Sequence, residues 1–303
     1  MFQHIIDGVT LGAIYVLIAL GYTMVYGILG MINFAHGEVY MIGAYIGIIS
    51  LGVLTAVGAT MLSLPICILI ALLAAILFCA SYGYTIERTA YRPLRQAHIL
   101  APLISAIGMS TFLQNFVMLA QGKDKLDFPF FFRESFTRQA VTISGTHLNY
   151  LELFIIGTSI IVMIGLNIFI KYTRIGKAMR ATSQDKKMAG LVGININKVI
   201  SATFIIGSAL AAVGGVMVSM YVGATKFDDG YLVGIKAFTA AVLGGIGNIT
   251  GTMLGGFILG LVESFGIWLI SPDYKDAYSF IILLIILIIR PTGLLGEQVS
   301  DRS

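Results

Sequence analysis

The densest group of polar side chains in the first half of the sequence is Asn33, His36 and Glu38. A histidine beside a carboxylate could bind a metal ion or move a proton. A metal site needs several His, Cys or carboxylate ligands, however, and only Glu38 is near. A hydrogen-bonded structural histidine is therefore the better interpretation of His36. Glu38 is either a functional carboxylate inside a membrane or a solvated one where a span ends, because a charge in hydrocarbon is costly and generally functional.

A second group of polar and helix-breaking residues interrupts the apolar region 237–272, in which Glu263 is the only charge. The run Gly244-Gly245-Ile246-Gly247-Asn248 contains three glycines, and each destabilises a helix by about 1 kcal/mol relative to alanine. The run therefore predicts an unwound helix at membrane depth, which is tolerated where the backbone lines a cavity or is buried in protein. Glu263, about 20 Å along its span from Gly251, either belongs to such a cavity or pairs with a hydroxyl or backbone amide at a helix contact.

Phosphate chemistry is not expected on this chain. No stretch reads G-x-x-x-x-G-K-S/T, because Gly176-Lys177 is followed by Ala178 and Gly122-Lys123 by Asp124. No clustered set of nucleophile, base and metal ligands occurs either. We therefore expect no catalytic residue, no cofactor and no metal on this chain, and any ATP hydrolysis that it uses must take place on another polypeptide.

The composition places the chain in a bilayer. Of its 303 residues, 57% are hydrophobic and 11% are charged, where a soluble domain has roughly 25% charged residues. This excludes a soluble enzyme, and the net charge of +4 is too small for a nucleic-acid-binding domain. The predicted class is an all-α polytopic membrane protein. The uncharged stretches are 8–37, 39–86, 99–122, 153–170, 199–225, 237–262 and 277–289.

Span counting follows from about 20 apolar residues per crossing. The stretch 39–86 must contain two spans, and the glycine run divides 237–272 into a short segment and a full span. We predict eight full transmembrane helices plus one short segment, 237–248, that crosses or re-enters. Ten of the 19 Lys and Arg residues lie in 87–98 and 171–198, which predicts that both loops are cytoplasmic. The N-terminus is then periplasmic and the C-terminus cytoplasmic.

Within this membrane frame, the polar and helix-breaking residues are candidates for a translocation pathway. They are Asn33, His36, Glu38, Asn115, Gly244, Gly245, Gly247, Asn248 and Glu263.

The loop 171–198 predicts an amphipathic helix outside the membrane. Small apolar residues recur at helical spacing between Lys and Arg, and Gly193 is a natural stop. Such a helix lies on anionic lipid or docks on a protein, and its Ala and Met residues favour a protein partner over lipid. The residues expected to couple this chain to that partner are Arg174, Gly176, Lys177, Arg180, Ala181, Asp185, Ala189 and Gly193.

Four stretches of the chain resemble the permease subunits of bacterial ABC importers for branched-chain amino acids. They are the Arg-x-Gly-Lys-Ala-x-Arg-Ala run from Arg174, Gly21–Gly27 with Met31–Glu38, Phe238–Asn248, and Arg290–Gly296. The resemblance covers nearly the whole chain. It implies one transmembrane permease domain, 1–303, in the bacterial inner membrane, with an ATPase-coupling loop at about 171–198.

The same resemblance implies an assembly. The expected partners are a second homologous permease subunit, two ATP-binding subunits that carry ATP and Mg, a periplasmic amino-acid-binding protein and membrane lipid, with no nucleic acid. The expected substrates are leucine, isoleucine and valine. Urea, a short amide or another apolar amino acid stays open as the substrate, as does a secondary transporter or channel that works alone.

Overall fold

The computed structural model describes residues 1–58, 63–95, 97–98, 100–137, 139–143 and 146–296. The long apolar stretches fold as helices, because a helix satisfies its backbone hydrogen bonds internally where no water is available. Within the described ranges the helices are α1 (Phe2–Leu29), α2 (His36–Ala56), α3 (Leu64–Ile86), α4 (Leu100–Gln121), α5 (Phe130–Thr137), α6 (Tyr150–Tyr172), α7 (Arg174–Gln184), α8 (Lys186–Leu191), α9 (Ile196–Val222), α10 (Asp229–Gly244), α11 (Ile249–Leu269) and α12 (Lys275–Ile289).

Seven of these helices in the described ranges are long and apolar enough to cross a membrane, namely α1, α2, α3 with the turns that follow it, α4, α6, α9 and α11. The polytopic helical class is thus confirmed, but the expected count of eight full spans is not. The segment expected as the eighth, 277–289, belongs to α12, which has 15 residues. At 1.5 Å per residue α12 is about 22 Å long, because the charged pair Lys275-Asp276 opens it and Pro291 follows its end.

Four short strands lie in the connections between helices. Strand β1 (Leu126–Asp127) pairs antiparallel with β4 (Ala224–Thr225), and β2 (Gln139–Ile143) pairs antiparallel with β3 (Thr146–Asn149). The expected all-α class therefore holds for the long apolar segments, whereas the connections between them also contain four short strands. The pairing of β1 with β4 places the ends of α4 and α9 side by side.

Helix α1 is the centre of the bundle, and glycines let other helices approach it closely. A Cβ on Gly260 of α11 would lie 2.3 Å from the backbone nitrogen of Gly12, and one on Gly21 would lie 3.0 Å from the carbonyl oxygen of Gly207 in α9. Side chains in α1 from Ala13 to Leu20 are almost entirely buried. Glycine at position 260 therefore lets α11 approach α1 closely.

Contacts along α1 also give the directions of its neighbours. Gly8 lies against Leu261 and Gly27 against Gly247, so α11 is antiparallel to α1. Helix α9 is antiparallel to α1 as well, because Gly21 faces Gly207 while Ile18 faces Gly214. Both α9 and α11 therefore begin at the end of the bundle where α1 finishes. Residues 223–248 must carry the chain back between them, so the segment that includes 237–248 crosses rather than re-enters.

We call the end of the bundle that contains Leu29, α7, α8 and the turn Gly245–Asn248 the loop end. The two basic loops meet there, since Arg95 donates to Oδ1 of Asn197 at 2.6 Å. Residues 293–296 lie there too, with the amide of Leu294 donating to the carbonyl oxygen of Leu243 at 2.9 Å. The start of α1 lies at the opposite end, where Ser264 donates to the carbonyl oxygen of His4 at 2.7 Å.

Candidate functional site

The loop 171–198 contains two helices, α7 and α8, where the sequence predicts one. Asp185 separates them, because its side chain accepts the amides of Lys187 and Met188 at 2.7 and 3.0 Å and so caps α8. Thr173 caps α7 in the same way, accepting the amide of Gly176 at 3.0 Å. Gly193 has φ of 88° and follows α8, as its predicted role as a stop requires. The role of Asp185 is therefore to break the helix.

Gly176 fixes α7 against the end of α6. A Cβ at this position would lie 2.5 Å from the backbone of Ile170, so only glycine fits without a shift of the helix. Met179 and Ala189 are also buried, at 4% and 3% exposure. Ala189 therefore packs against its own chain, and its expected part in coupling stays a prediction. The loop is held on the bundle by its small residues.

The outer surface of the loop carries exposed apolar and basic side chains. Met188, Leu191 and Val192 are 62%, 80% and 77% exposed, although they lie beyond the ends of the spans. The side chains of Arg174, Lys177 and Arg180 on α7 are exposed as well, and Ala181 is half-buried. We call Met188, Leu191 and Val192 the loop patch. An exposed apolar patch of this kind is typical of an interaction surface.

Lys186 connects the loop to the first helix. Its Nζ donates to the carbonyl oxygen of Leu29 at 3.1 Å. Burial lowers the pKa of Lys186, and the nearby charge of Arg95 lowers it further. The ammonium satisfies an otherwise free carbonyl in the last turn of α1.

The glycine run 244–248 is a tight turn at the loop end between α10 and α11, so the helix is interrupted there as the sequence predicts. Gly245 and Gly247 have φ of 105° and 96°, which allows α10 to turn directly into α11. A Cβ on Gly244 would lie 2.1 Å from the carbonyl oxygen of Gly251, so the two helices touch at the turn. The glycines serve this close contact.

Asn248 holds the turn in two ways. Its Oδ1 accepts the amide of Gly251 at 3.0 Å and caps α11, while its Nδ2 donates to the carbonyl oxygen of Leu295 at 2.9 Å. Asn248 thereby joins the segment after α12 to the start of α11.

Asn33 and His36 are buried at the place where the chain turns back into the bundle. His36 begins α2 beside Gly21, about 12 Å along α1 from Leu29. The Nε2 of His36 lies 3.1 Å from the carbonyl oxygen of Ile18, so this nitrogen carries the proton. Asn33 Oδ1 accepts the hydroxyl of Tyr91 at 2.7 Å. His36 is the hydrogen-bonded histidine that the sequence predicts.

Glu38 is 1% exposed, so the alternative of a solvated carboxylate is wrong. Residues 30–35 fold back into the bundle and place Glu38 between α4 and α10. Its Oε1 accepts the hydroxyl of Ser110 at 3.1 Å, and its Oε2 has no hydrogen-bond partner among the described residues. Ser110 and Gly230, which both adjoin this carboxylate, line a cavity of about 290 Å³ together with Tyr22 and Phe34.

Asn115 is not brought together with the other predicted pathway residues. It is exposed on α4 and donates to the carbonyl oxygen of Thr111 in its own helix at 2.8 Å. Its neighbour Gln114 lines the cavity beside Ser110 instead. Two adjacent residues on a helix are about 100° apart around its axis, and the sequence does not say which of them faces inward.

Glu263 belongs to a buried charge cluster that the sequence analysis missed. It accepts the hydroxyl of Tyr15 and the ammonium of Lys236, each at 2.8 Å, and Lys236 also contacts Asp276 at 2.7 Å. The alternative expected for Glu263, a hydroxyl partner at a helix contact, is confirmed by Tyr15, and Lys236 is an additional partner. The signal for Lys236 was its position directly before 26 uncharged residues, which Glu263 follows.

The fold and these sites can now be compared with known proteins. The family model for the permease component of branched-chain amino acid transport systems matches residues 4–287. This chain belongs to the branched-chain amino acid transport permease family. The chain is 50% identical to BraD, a high-affinity branched-chain amino acid transport system permease protein of Pseudomonas aeruginosa, over 99% of this chain and 97% of that one.

A second relative in the permease family is LivH of Escherichia coli K12, also a high-affinity branched-chain amino acid transport system permease protein. It is 46% identical over 99% of this chain and 97% of that one. Among solved structures, PsaBC from Streptococcus pneumoniae in complex with Fab aligns at 13% identity with a TM-score of 0.49, covering 94% of this chain and 91% of that one. The likeness to PsaBC is too weak to carry an argument.

Proposed function

We propose that this chain is the permease subunit of an ATP-driven importer and forms half of the pathway that moves leucine, isoleucine and valine into the cytoplasm. The observation that carries the proposal is family membership over nearly the whole chain, at 50% identity to a high-affinity branched-chain amino acid permease. The loop patch, an exposed apolar surface outside the spans, supports an ATPase partner.

The proposed assembly contains a second homologous permease subunit, two ATP-binding subunits and a periplasmic amino-acid-binding protein. ATP and Mg bind on the partner ATPases, and this chain converts their motion into a change of the pathway. The connection is physical, because α7 packs on α6 and Lys186 bonds to the end of α1. Movement of the loop is thereby transmitted to both helices.

The proposed orientation places the loop end in the cytoplasm of a bacterial inner membrane. Ten of the 19 Lys and Arg residues lie in its two loops, which fits the bias of cytoplasmic loops toward basic residues. The start of α1 is then periplasmic, and residues 293–296 are cytoplasmic. A cysteine introduced at the exposed position Gln184 should react with an impermeant maleimide only after the membrane is opened. Labelling of this cysteine in intact cells would show that the orientation is the opposite one.

Co-purification in mild detergent tests the partnership. Tagged parent protein should bring two ATP-binding subunits with it, and the Leu191→Glu variant should lose them because a charge replaces an 80% exposed leucine of the loop patch. Asp228→Asn, a change at a half-exposed residue in the connection before α10, is the matched control and should retain both subunits. Recovery of the parent alone, together with leucine uptake that needs no ATP, would instead support a secondary transporter.

A further inference from the structure

A cavity of about 340 Å³ lies between α1, α9, α10, α11 and α12. It is on the opposite face of α10 from the cavity near Glu38, since Leu232, Val233 and Lys236 line it while Gly234 and Phe238 line the other. Glu263, which also lines it, lies about two thirds of the way along α11 from the loop end. The cavity is thus nearer to the end through which an imported solute enters.

Buried charges of both signs line this cavity. Lys236 is 7% exposed and Glu263 is 3% exposed, so neither is a surface charge. Lys236 contacts two carboxylates, those of Glu263 and Asp276, although one is enough to neutralise it. Asp229 and Lys275 line the cavity as well, so its lining holds three carboxylates and two ammonium groups. A buried ammonium in contact with two carboxylates is an expensive arrangement inside a membrane and is generally functional.

Aliphatic side chains complete the lining of the cavity. They offer only hydrocarbon, and they include Leu11, Ile14, Val218, Leu232, Val233 and Ile267. The site therefore combines cationic and anionic groups with branched aliphatic groups. Its volume is at the lower end of the range for small-molecule sites.

These features match one class of solute. A zwitterionic amino acid with an aliphatic side chain needs a cation for its carboxylate, an anion for its ammonium and an apolar surface for its side chain. A simple cation would not use Lys236, and an uncharged amide would not compensate for burying the charges. We infer that this cavity is an entry-side binding site for the zwitterionic head of an aliphatic amino acid, with Lys236 binding the carboxylate and Asp276 and Asp229 binding the ammonium.

Binding would exchange one contact for another inside the cluster. Asp276 is the half-exposed partner of Lys236, with 38% of its side chain accessible, whereas Glu263 is held by Tyr15. A bound carboxylate can therefore replace Asp276 on Lys236, and the released Asp276 is available for the ammonium. No net charge is buried in this exchange. The inference rests on the proposed function for its substrate class.

Protection from labelling tests the cavity in the assembled importer. Leu232→Cys places a thiol in the cavity wall, and Asp273→Cys places one outside it as a control. Leucine at about ten times its dissociation constant should slow modification of position 232 by a small methanethiosulfonate about tenfold, and leave position 273 unchanged. Two analogues of leucine each lack one of its charged groups: 4-methylpentanoate lacks the ammonium and 3-methylbutylamine lacks the carboxylate. At the same concentration each should slow modification of position 232 less than twofold, because each loses the contacts of one charged group.

A charge variant then identifies the anchor. Lys236→Gln combined with Leu232→Cys should lose protection by leucine, whereas Lys226→Gln, a change at the half-exposed Lys226–Asp228 pair, should keep it. If leucine fails to protect Leu232→Cys in an assembly that transports leucine, the cavity inference is overturned and the proposed function stands. Equal protection by 3-methylbutylamine would overturn the zwitterion assignment. An assembly that moves no leucine at all would refute the proposed function itself.

Discussion

The ammonium of Lys186 in α8 donates to the carbonyl oxygen of Leu29, the last residue of α1, at 3.1 Å. These residues are far apart in sequence, and this bond joins the loop that carries the exposed loop patch to the helix at the centre of the bundle. Leu29 is followed by the segment 30–35 that returns into the bundle and places His36 and Glu38. The bond therefore forms a short mechanical route from the loop to the buried polar residues.

Breaking this bond should impair transport without removing the protein from the membrane. Lys186→Met keeps the length of the side chain but removes the donor, leaving the carbonyl of Leu29 unsatisfied at a cost of about 1–3 kcal/mol. We expect leucine uptake by the assembled importer to fall severalfold while its ATPase subunits stay bound. Lys187→Met changes the neighbouring exposed lysine and serves as the control, with uptake near the parent rate. Equal leucine uptake by both variants would show that the bond from Lys186 to Leu29 is not needed for transport.

Gly176 should tolerate no side chain. In Gly176→Ala the new Cβ would lie 2.5 Å from the backbone of Ile170 and of Phe169, so α7 must move away from α6. We expect stimulation of ATPase activity by the binding protein to be lost together with uptake. The control is Gly190→Ala in α8, where the nearest atom is the end of the Ile196 side chain at 3.4 Å. Full stimulation in Gly176→Ala would contradict a fixed contact between α6 and α7.

Two substitutions of Asn248 can test its two hydrogen bonds separately. Asn248→Asp keeps an acceptor for the amide of Gly251 but removes the donor to Leu295, whereas Asn248→Leu removes both. Loss of a cap costs about 1 kcal/mol, so the unfolding temperature of purified protein should fall in the order parent, Asp, Leu. Uptake should fall more than membrane insertion in Asn248→Leu. An aspartate variant as unstable as the leucine variant would mean that capping contributes little.

Close packing of α1 against α11 should depend on glycine at the contact. Gly260→Val would place atoms within 2.3–2.5 Å of the backbone of Gly12 and Gly8, and we expect little folded protein in the membrane. Gly165→Val in α6 is the control, because a Cβ there meets nothing within 4 Å. Size-exclusion profiles of fluorescently tagged variants measure the difference. A monodisperse Gly260→Val protein at parent yield would contradict the described contact.

Much of the helical layout follows from the positions of charges, because a membrane span excludes them. The spans α1, α4 and α6 lie within or close to uncharged stretches, and the basic loops that predict one common side do meet at Arg95 and Asn197. The cap at Asp185 is a further signal in the sequence, since aspartate at a helix start accepts free amides. The spacing of small apolar residues across 171–198 instead predicted one helix where the structure has two.

The buried polar sites could not be predicted in the same way, because they depend on how distant helices meet. Lys236 and Glu263 are 27 positions apart and pair only because α10 turns directly into α11. Linear counting places Glu38 at a span end, yet the return of segment 30–35 buries it. The glycine run predicted an interrupted helix correctly, but composition alone does not say that the turn brings α10 directly against α11.

The most direct test of the account is uptake into proteoliposomes that contain this chain, its homologous permease subunit and the two ATP-binding subunits. With the binding protein outside and ATP with Mg inside, the account predicts accumulation of labelled leucine above its external concentration, and none when ATP is replaced by a non-hydrolysable analogue. Unlabelled isoleucine and valine should compete, and urea should not. Leucine accumulation that persists without ATP hydrolysis, or that is competed only by urea or a short amide, would contradict the central claim.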